Sequence, residues 1–277
     1  MKSILGKYSN LKQRIIAALL GAIIILGGTY YSPWAYFLIF LLISITTQLE
    51  FYKLVGLDGM LPLKTFGTFC GSVLFLISFL VESGAIESKY YYLIFPVLAC
   101  VYMIYLYRKR VIKPFRGIAF TFLGIIYVSI PFSLINIIAF HSGTYTGELI
   151  MGSMLILWAS DTGAYFAGVR FGKRKLFERV SPKKSWEGSI GGLLLALVMT
   201  YAVSHLQTTL VLWQWLCVGI IIVVIGTYGD LVESLFKRSI EIKDSGRIIP
   251  GHGGFLDRFD GLLLSAPFIT AFLKIFL

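Results

Sequence analysis

The chain has 277 residues, of which 57% are hydrophobic and only 14% charged, and its formal net charge is +11. A soluble domain of this size carries about 25% charged residues, so the composition excludes an ordinary soluble enzyme and points to a polytopic membrane protein. The positive balance suits membrane orientation and anionic lipid better than nucleic acid, and no nucleic-acid partner is expected.

In chain order, Lys2, Lys7, Lys12 and Arg14 precede the first apolar run, with no small-residue cleavage site behind it. Residues 15–31 therefore read as a signal-anchor helix. The next span, 33–49, is separated from it only by Tyr31, Ser32 and Pro33, a tight helical hairpin. Further apolar runs lie near 65–81, 90–107, 117–140, 149–168, 188–206, 211–229 and 259–277, about nine spans in all. Lipid offers backbone amides no partners, so these runs must be helical. The expected fold is an all-α, polytopic helical bundle in the membrane. Cys70, Cys100 and Cys217 are scattered through apolar segments without metal-ligand spacing and read as packing residues.

With a cytoplasmic N-terminus, 23 of the 25 Lys and Arg fall on cytoplasmic segments; only Lys89 and Lys274 do not. This asymmetry supports both the span count and the orientation. The two longest cytoplasmic connections, 169–187 and 230–258, are rich in charge, glycine and proline. Residues 1–110 thus read as a multi-span scaffold and 111–277 as a catalytic transmembrane region with its chemistry at the cytoplasmic face.

Several polar residues stand where apolar ones belong. Asp161, in Trp158-Ala-Ser-Asp-Thr-Gly-Ala-Tyr165, lies in or at the mouth of the sixth span, where a carboxylate costs about 2.5–3.5 kcal/mol at mid-bilayer. It either serves the site or reaches the interface to pair with a lysine. Asp230, Glu233, Ser234, Lys237 and Arg238 share one face of a helix continuing the eighth span. Alone, that stripe also fits an amphipathic interfacial helix. The run Ile249-Pro-Gly-His-Gly-Gly254 cannot continue a helix. Its glycine amides, Gly253 and Gly254 among them, suit a phosphate cradle with His252 as a donor, or a plain turn between helices. Asp257 and Asp260 open the last span, three residues apart. Two carboxylates there favour the helix dipole or hold a divalent metal. Mg²⁺ takes one or two carboxylates and fills its octahedron with water and phosphate oxygens, and Asp230 with Asp257 is the expected ligand pair. The loop 169–187 adds Lys183 and Lys184 beside a helix start capped by Ser185, a ready anion site or a positive-inside loop.

The run Ser234 to Asp260 resembles the signature of the phosphatidate cytidylyltransferases, the CDP-diacylglycerol synthases. Ser234, Lys237, Arg238, Lys243, Asp244, Gly246, Pro250, His252, Gly253, Gly254, Asp257, Arg258 and Asp260 fill that pattern. Ser160-Asp-Thr-Gly-Ala-Tyr-Phe166 and Ser181-Pro-Lys-Lys-Ser-Trp-Glu-Gly188 are also similar to the family. The specific resemblance covers residues 158–261. It implies an enzyme of a bacterial plasma (inner) membrane that uses CTP and phosphatidic acid, needs Mg²⁺ with a second, monovalent cation (K⁺) beside it, and forms a homodimer among membrane lipids. It makes Lys237, Arg238, Lys243, Asp244, His252, Arg258 and Asp260 candidate catalytic residues and Asp230 and Asp257 metal ligands. Asp161, Ser181, Lys183, Lys184, Ser234, Gly253 and Gly254 become candidate substrate-binding residues. Two rivals remain. A CDP-alcohol phosphotransferase would show an aspartate cluster in one helix pair. A transporter built around Asp161 would show broken helices in inverted repeats. Neither pattern is present.

Overall fold

The computed structural model describes residues 2–59, 61–109, 111–242, 245–246 and 253–277, with side chains from residue 16 onward. Ten α-helices follow one another: α1 (Lys2–Tyr31), α2 (Pro33–Leu57), α3 (Lys64–Glu82), α4 (Ile94–Leu106), α5 (Pro114–Gly124), α6 (Ile130–Ala139), α7 (Glu148–Phe171), α8 (Trp186–Leu206), α9 (Leu212–Ser239) and α10 (Leu256–Phe276). A 3₁₀ turn, Ser88–Leu93, leads into α4, and α5 and α6 form one continuous span across a π turn, Ile125–Ser129. Eight helical runs are long and apolar enough to cross a membrane, and Ile16–Tyr31 is a shorter apolar one. The expected all-α membrane bundle is therefore present, with each of the nine expected spans on a helix.

Local chemistry explains the boundaries. Ser32 caps α2, its hydroxyl accepting from the Ala35 amide at 3.1 Å, and Pro33 occupies the first helical position. The π turn sits where Pro131 lacks the amide that would bond the carbonyl of residue 127. The chain widens instead, and the Ile130 amide bonds the Ile125 carbonyl five residues back. Helix α9 has 28 residues, about 42 Å of length against a hydrocarbon core of about 30 Å. Its charged last third therefore lies at or beyond one membrane boundary.

One connection differs from expectation. Residues 169–187 are not a loop: α7 runs to Phe171, and β1 (Lys175–Phe177) pairs antiparallel with β2 (Ser181–Ser185). The strands carry mostly charged and polar residues and show no apolar alternation, so no period marks them. Ser185 then caps α8 as expected, accepting from the Gly188 amide at 3.1 Å.

Buried side-chain hydrogen bonds tie the spans where lipid supplies no hydrophobic drive. Tyr36 of α2 donates to Asn136 of α6 at 2.8 Å, and Asn136 donates to the Phe75 carbonyl of α3 at 3.1 Å. Apolar side chains such as Ile23, Leu38, Phe95, Leu194 and Val198 face outward, as lipid requires.

A close approach of two helices positions the site. A methyl group on Gly229 would sit 2.4 Å from the Asp260 carbonyl oxygen and 2.9 Å from Gly261 Cα. Only a residue without Cβ lets α9 and α10 touch there. Gly229→Ala is expected to push the helices apart and cost about 1–3 kcal/mol. Gly226→Ala, whose methyl would meet Leu157 at an ordinary 3.4 Å, is the matched control. Thermal unfolding in detergent reads both; equal melting temperatures would show that the approach is not tight.

Candidate active site

The contact at Gly229 brings together acids from two helices. Carboxylate oxygens of Asp230, Glu233 and Asp260 lie within 4.8 Å of one another. Asp230 and Glu233 are one helical turn apart on α9, and Asp260 follows one turn after Asp257 at the start of α10. Glu233 is 1% exposed, while Asp230 and Asp260 are half-buried. Asp161, ten residues before the end of α7 and so about 15 Å in from it, is accessible and interacts electrostatically with Asp230, Lys184 and Arg258. Four carboxylates from three helices thus converge at the end of the bundle where α7 and α9 finish and α8 and α10 begin.

Cations edge this group. The Lys184 ammonium lies 2.7 Å from Asp230 and 3.4 Å from the Thr227 carbonyl. The β-hairpin delivers it: alternation along β2 turns Lys184 inward and leaves Lys183 exposed. Glu187, in the first turn of α8, accepts from the amides of Lys173 and Arg174 at 3.1–3.2 Å and pins the base of the hairpin. Ser234 donates to Asp230 at 3.2 Å across one turn of α9. Ser181 sits at the start of β2, paired in register with Phe177. Lys237 forms an ion pair with Glu233 and bonds Asp257 at 2.7 Å.

Asp257 was expected beside Asp230 on a shared ion. Its carboxylate is engaged differently: it accepts from Lys237, from the Ser245 amide at 3.1 Å and from the Gly254 amide at 2.9 Å. It thereby ties Ser245 and Gly254 to the first turn of α10. Gly253 has φ +84°, and a Cβ there would meet Asp257 Oδ2 at 2.4 Å, so glycine is required twice over. The carboxylates clustered around one point are Asp230, Glu233 and Asp260, and Lys237 links them to Asp257. Arg238 is exposed and donates to the Ile242 carbonyl at 3.1 Å, closing the end of α9. Arg258 is exposed and interacts with Asp161. Lys243, Asp244 and His252 lie outside the described residues.

Two acids were not among the expected site residues. Glu233 was legible only as a member of the charged stripe. Glu50, in the segment read as scaffold, is 4% exposed and accepts from the Leu256 amide at 2.9 Å. It caps α10 from 206 residues away and lies against Gly254, its oxygens 2.4 and 2.7 Å from where a Cβ on that residue would be. Its signal was a charge inside an otherwise apolar helix.

The donor set fits a hard divalent cation. Ligands around Mg²⁺ at about 2.1 Å stand roughly 3–4 Å apart, so oxygens within 4.8 Å need only a small closure. Three clustered carboxylates with cations at their rim suit the charge of a polyphosphate bound together with a metal.

The fold and site define an integral membrane protein with clustered acids and lysines at one end of its bundle. The chain belongs to the cytidylyltransferase family, whose sequence profile matches residues 12–276. It is thus a nucleotidyltransferase enzyme. It is 33% identical over 273 residues to a phosphatidate cytidylyltransferase of Bacillus subtilis, covering 96% of this chain and 99% of that one. It is 32% identical over 270 residues to one of Staphylococcus haemolyticus, covering 95% and 99%. A 129-residue stretch, 45% of each chain, is 47% identical to the Haemophilus influenzae protein of that name.

Proposed function

We propose that this chain transfers the cytidylyl group of CTP to phosphatidic acid, giving CDP-diacylglycerol and pyrophosphate. The observation that carries this reading is the carboxylate group Asp230–Glu233–Asp260, rimmed by Lys184 and Lys237 where helices end. Similarity along nearly the whole length of relatives bearing that activity in their names supports it. The lysine and arginine distribution supports a site facing the cytoplasm of a bacterial inner membrane.

Asp230, Glu233 and Asp260 would hold Mg²⁺, with Asp161 beside them. Bound there, Mg²⁺ supplies positive charge that offsets repulsion between two anionic substrates and stabilises the departing pyrophosphate. The lipid phosphate is already an anion, so no side chain needs to activate it. One of its oxygens attacks the α-phosphorus of CTP in line, the bond to the bridging oxygen breaks, and pyrophosphate leaves with that electron pair. The chain's own work is positioning and electrostatic stabilisation. Lys184 exchanges its Asp230 partner for a phosphate oxygen. Arg258, beside Asp161, holds a second phosphate. Lys237 keeps Glu233 and Asp257 in place, and Asp257 holds the backbone at Ser245 and Gly254 beside the nucleotide. We assign Lys183 and Arg238, both exposed, to the approach of the anionic headgroup. A homodimer and a K⁺ ion stay part of the proposal through family resemblance.

Purified protein given CTP, phosphatidic acid and Mg²⁺ in mixed micelles is expected to release pyrophosphate and form a lipid-soluble cytidine product. The same assay with dATP, GTP and UTP tests the base. Absence of a lipid-soluble cytidine product, or equal product with GTP, would overturn the substrate assignment.

A further inference from the structure

Tyr127 lies in the π turn between α5 and α6, where Pro131 leaves a helical bond unmade. A π turn rotates its side chains off the regular helical face, and such turns recur at functional sites. Its ring is fixed by neighbours. Phe51 of α2, 2% exposed, packs 5.8 Å from Tyr127 on one side and stacks 5.2 Å from Phe236 of α9 on the other. Phe236 follows Glu233 by one turn on the same helix, so this aromatic row ties the π turn to the acidic group. The Tyr127 hydroxyl is buried and interacts electrostatically with Asp260, Glu233 and Asp230. Among the described residues it has no hydrogen-bond partner.

A buried donor is rarely left without an acceptor unless the acceptor arrives with a ligand. Here the donor is within electrostatic reach of the three carboxylates that cluster around one point, and among the described residues it bonds none of them. Tyrosine offers a hydroxyl proton on a rigid ring with few rotamers to lose, which suits a preset donor. We propose that the Tyr127 hydroxyl donates a hydrogen bond to an oxygen held at the Asp230–Glu233–Asp260 group. That oxygen belongs either to a cation-bound water or to a phosphate of the nucleotide. Tyr127 is then a binding residue of the site, supplied by a helix that carries none of the charged motifs. The inference rests on reading the acidic group as a cation site.

The test uses the full chain in detergent as wild type and as Tyr127→Phe, which removes one oxygen and keeps the ring. Mn²⁺ affinity is measured alone by electron paramagnetic resonance. Affinity for α,β-methylene CTP, which cannot release pyrophosphate, is measured with Mg²⁺ by calorimetry. Melting temperature is recorded in parallel. If the oxygen is a cation-bound water, Mn²⁺ binding weakens about tenfold or more without nucleotide. If it belongs to the nucleotide, Mn²⁺ binding holds and analogue binding weakens about tenfold. In either case the melting temperature is unchanged or higher, because the hydroxyl has no partner to lose. Both affinities staying within about twofold of wild type, or falling only together with the melting temperature, would overturn the inference. Failure of wild-type protein to bind Mn²⁺ would instead remove the cation-site reading.

Discussion

Asparagine in place of Asp260 is expected to cut cytidylyl transfer by about a hundredfold or more and to leave the melting temperature unchanged or raised. Three facts make this substitution clean. Asp260 Oδ1 accepts from the Gly261 amide at 2.7 Å, and a carboxamide oxygen can accept the same bond. The tight contact with Gly229 is made by the Asp260 carbonyl, which any residue retains. Burial disfavours the charge of the side chain most, Asp230 and Asp161 repel it, and the Gly261 amide and Lys184 offset this only in part. Removing its charge therefore relieves strain in the resting protein and withdraws attraction only when a cation is bound. The sign follows from this: without divalent ions the variant is at least as stable as wild type, and Mg²⁺ raises its melting temperature by less. A turnover assay across Mg²⁺ concentrations, paired with thermal unfolding, checks both. Near-normal turnover with the wild-type Mg²⁺ dependence would remove Asp260 from the site.

Asp257 and Asp260 show where sequence reasoning reaches its limit. Their spacing places both at the start of one helix, and either serves a metal equally well on chemistry alone. Which one meets Asp230 depends on how α10 is rotated against α9, and that rotation is set by a long-range contact, Gly229 against the Asp260 backbone. The Asp230–Glu233–Lys237 stripe, in contrast, was legible because helical periodicity is local. So were the nine spans, since each carries its own apolar run. The hairpin Lys175–Ser185 was not, because its strands are short and carry no apolar alternation to detect. Glu50 is the sharpest case. It belongs to the segment read as scaffold, and it supports the site by capping α10 across 206 residues. A buried carboxylate in an apolar helix announces a role, but only the packing of α2 beside α10 says which one.

Lys237 decides how the buried charge is tolerated, and Lys237→Met is expected to destabilise the chain by about 3–5 kcal/mol. Its ammonium pairs with Glu233, a carboxylate 1% exposed, and bonds Asp257 at 2.7 Å, with its own side chain 12% exposed. Methionine keeps most of the stem's packing, so the loss is chiefly electrostatic: Glu233 is left buried without a counter-charge. Two further measurements separate this cause from simple misfit. The double variant Lys237→Met, Glu233→Gln removes the stranded charge and should recover most of the melting temperature while staying inactive. Mg²⁺ should stabilise Lys237→Met more than wild type, because a cation held by Asp230, Glu233 and Asp260 replaces part of the missing positive charge. An equal Mg²⁺ shift in the two proteins would mean that the ion does not sit against Glu233. An unchanged melting temperature in the single variant would mean that the Lys237–Glu233 pair contributes nothing. The two shifts together therefore report on the same carboxylate from opposite sides, once through the lysine that balances it in the resting enzyme and once through the ion proposed to balance it in the working one.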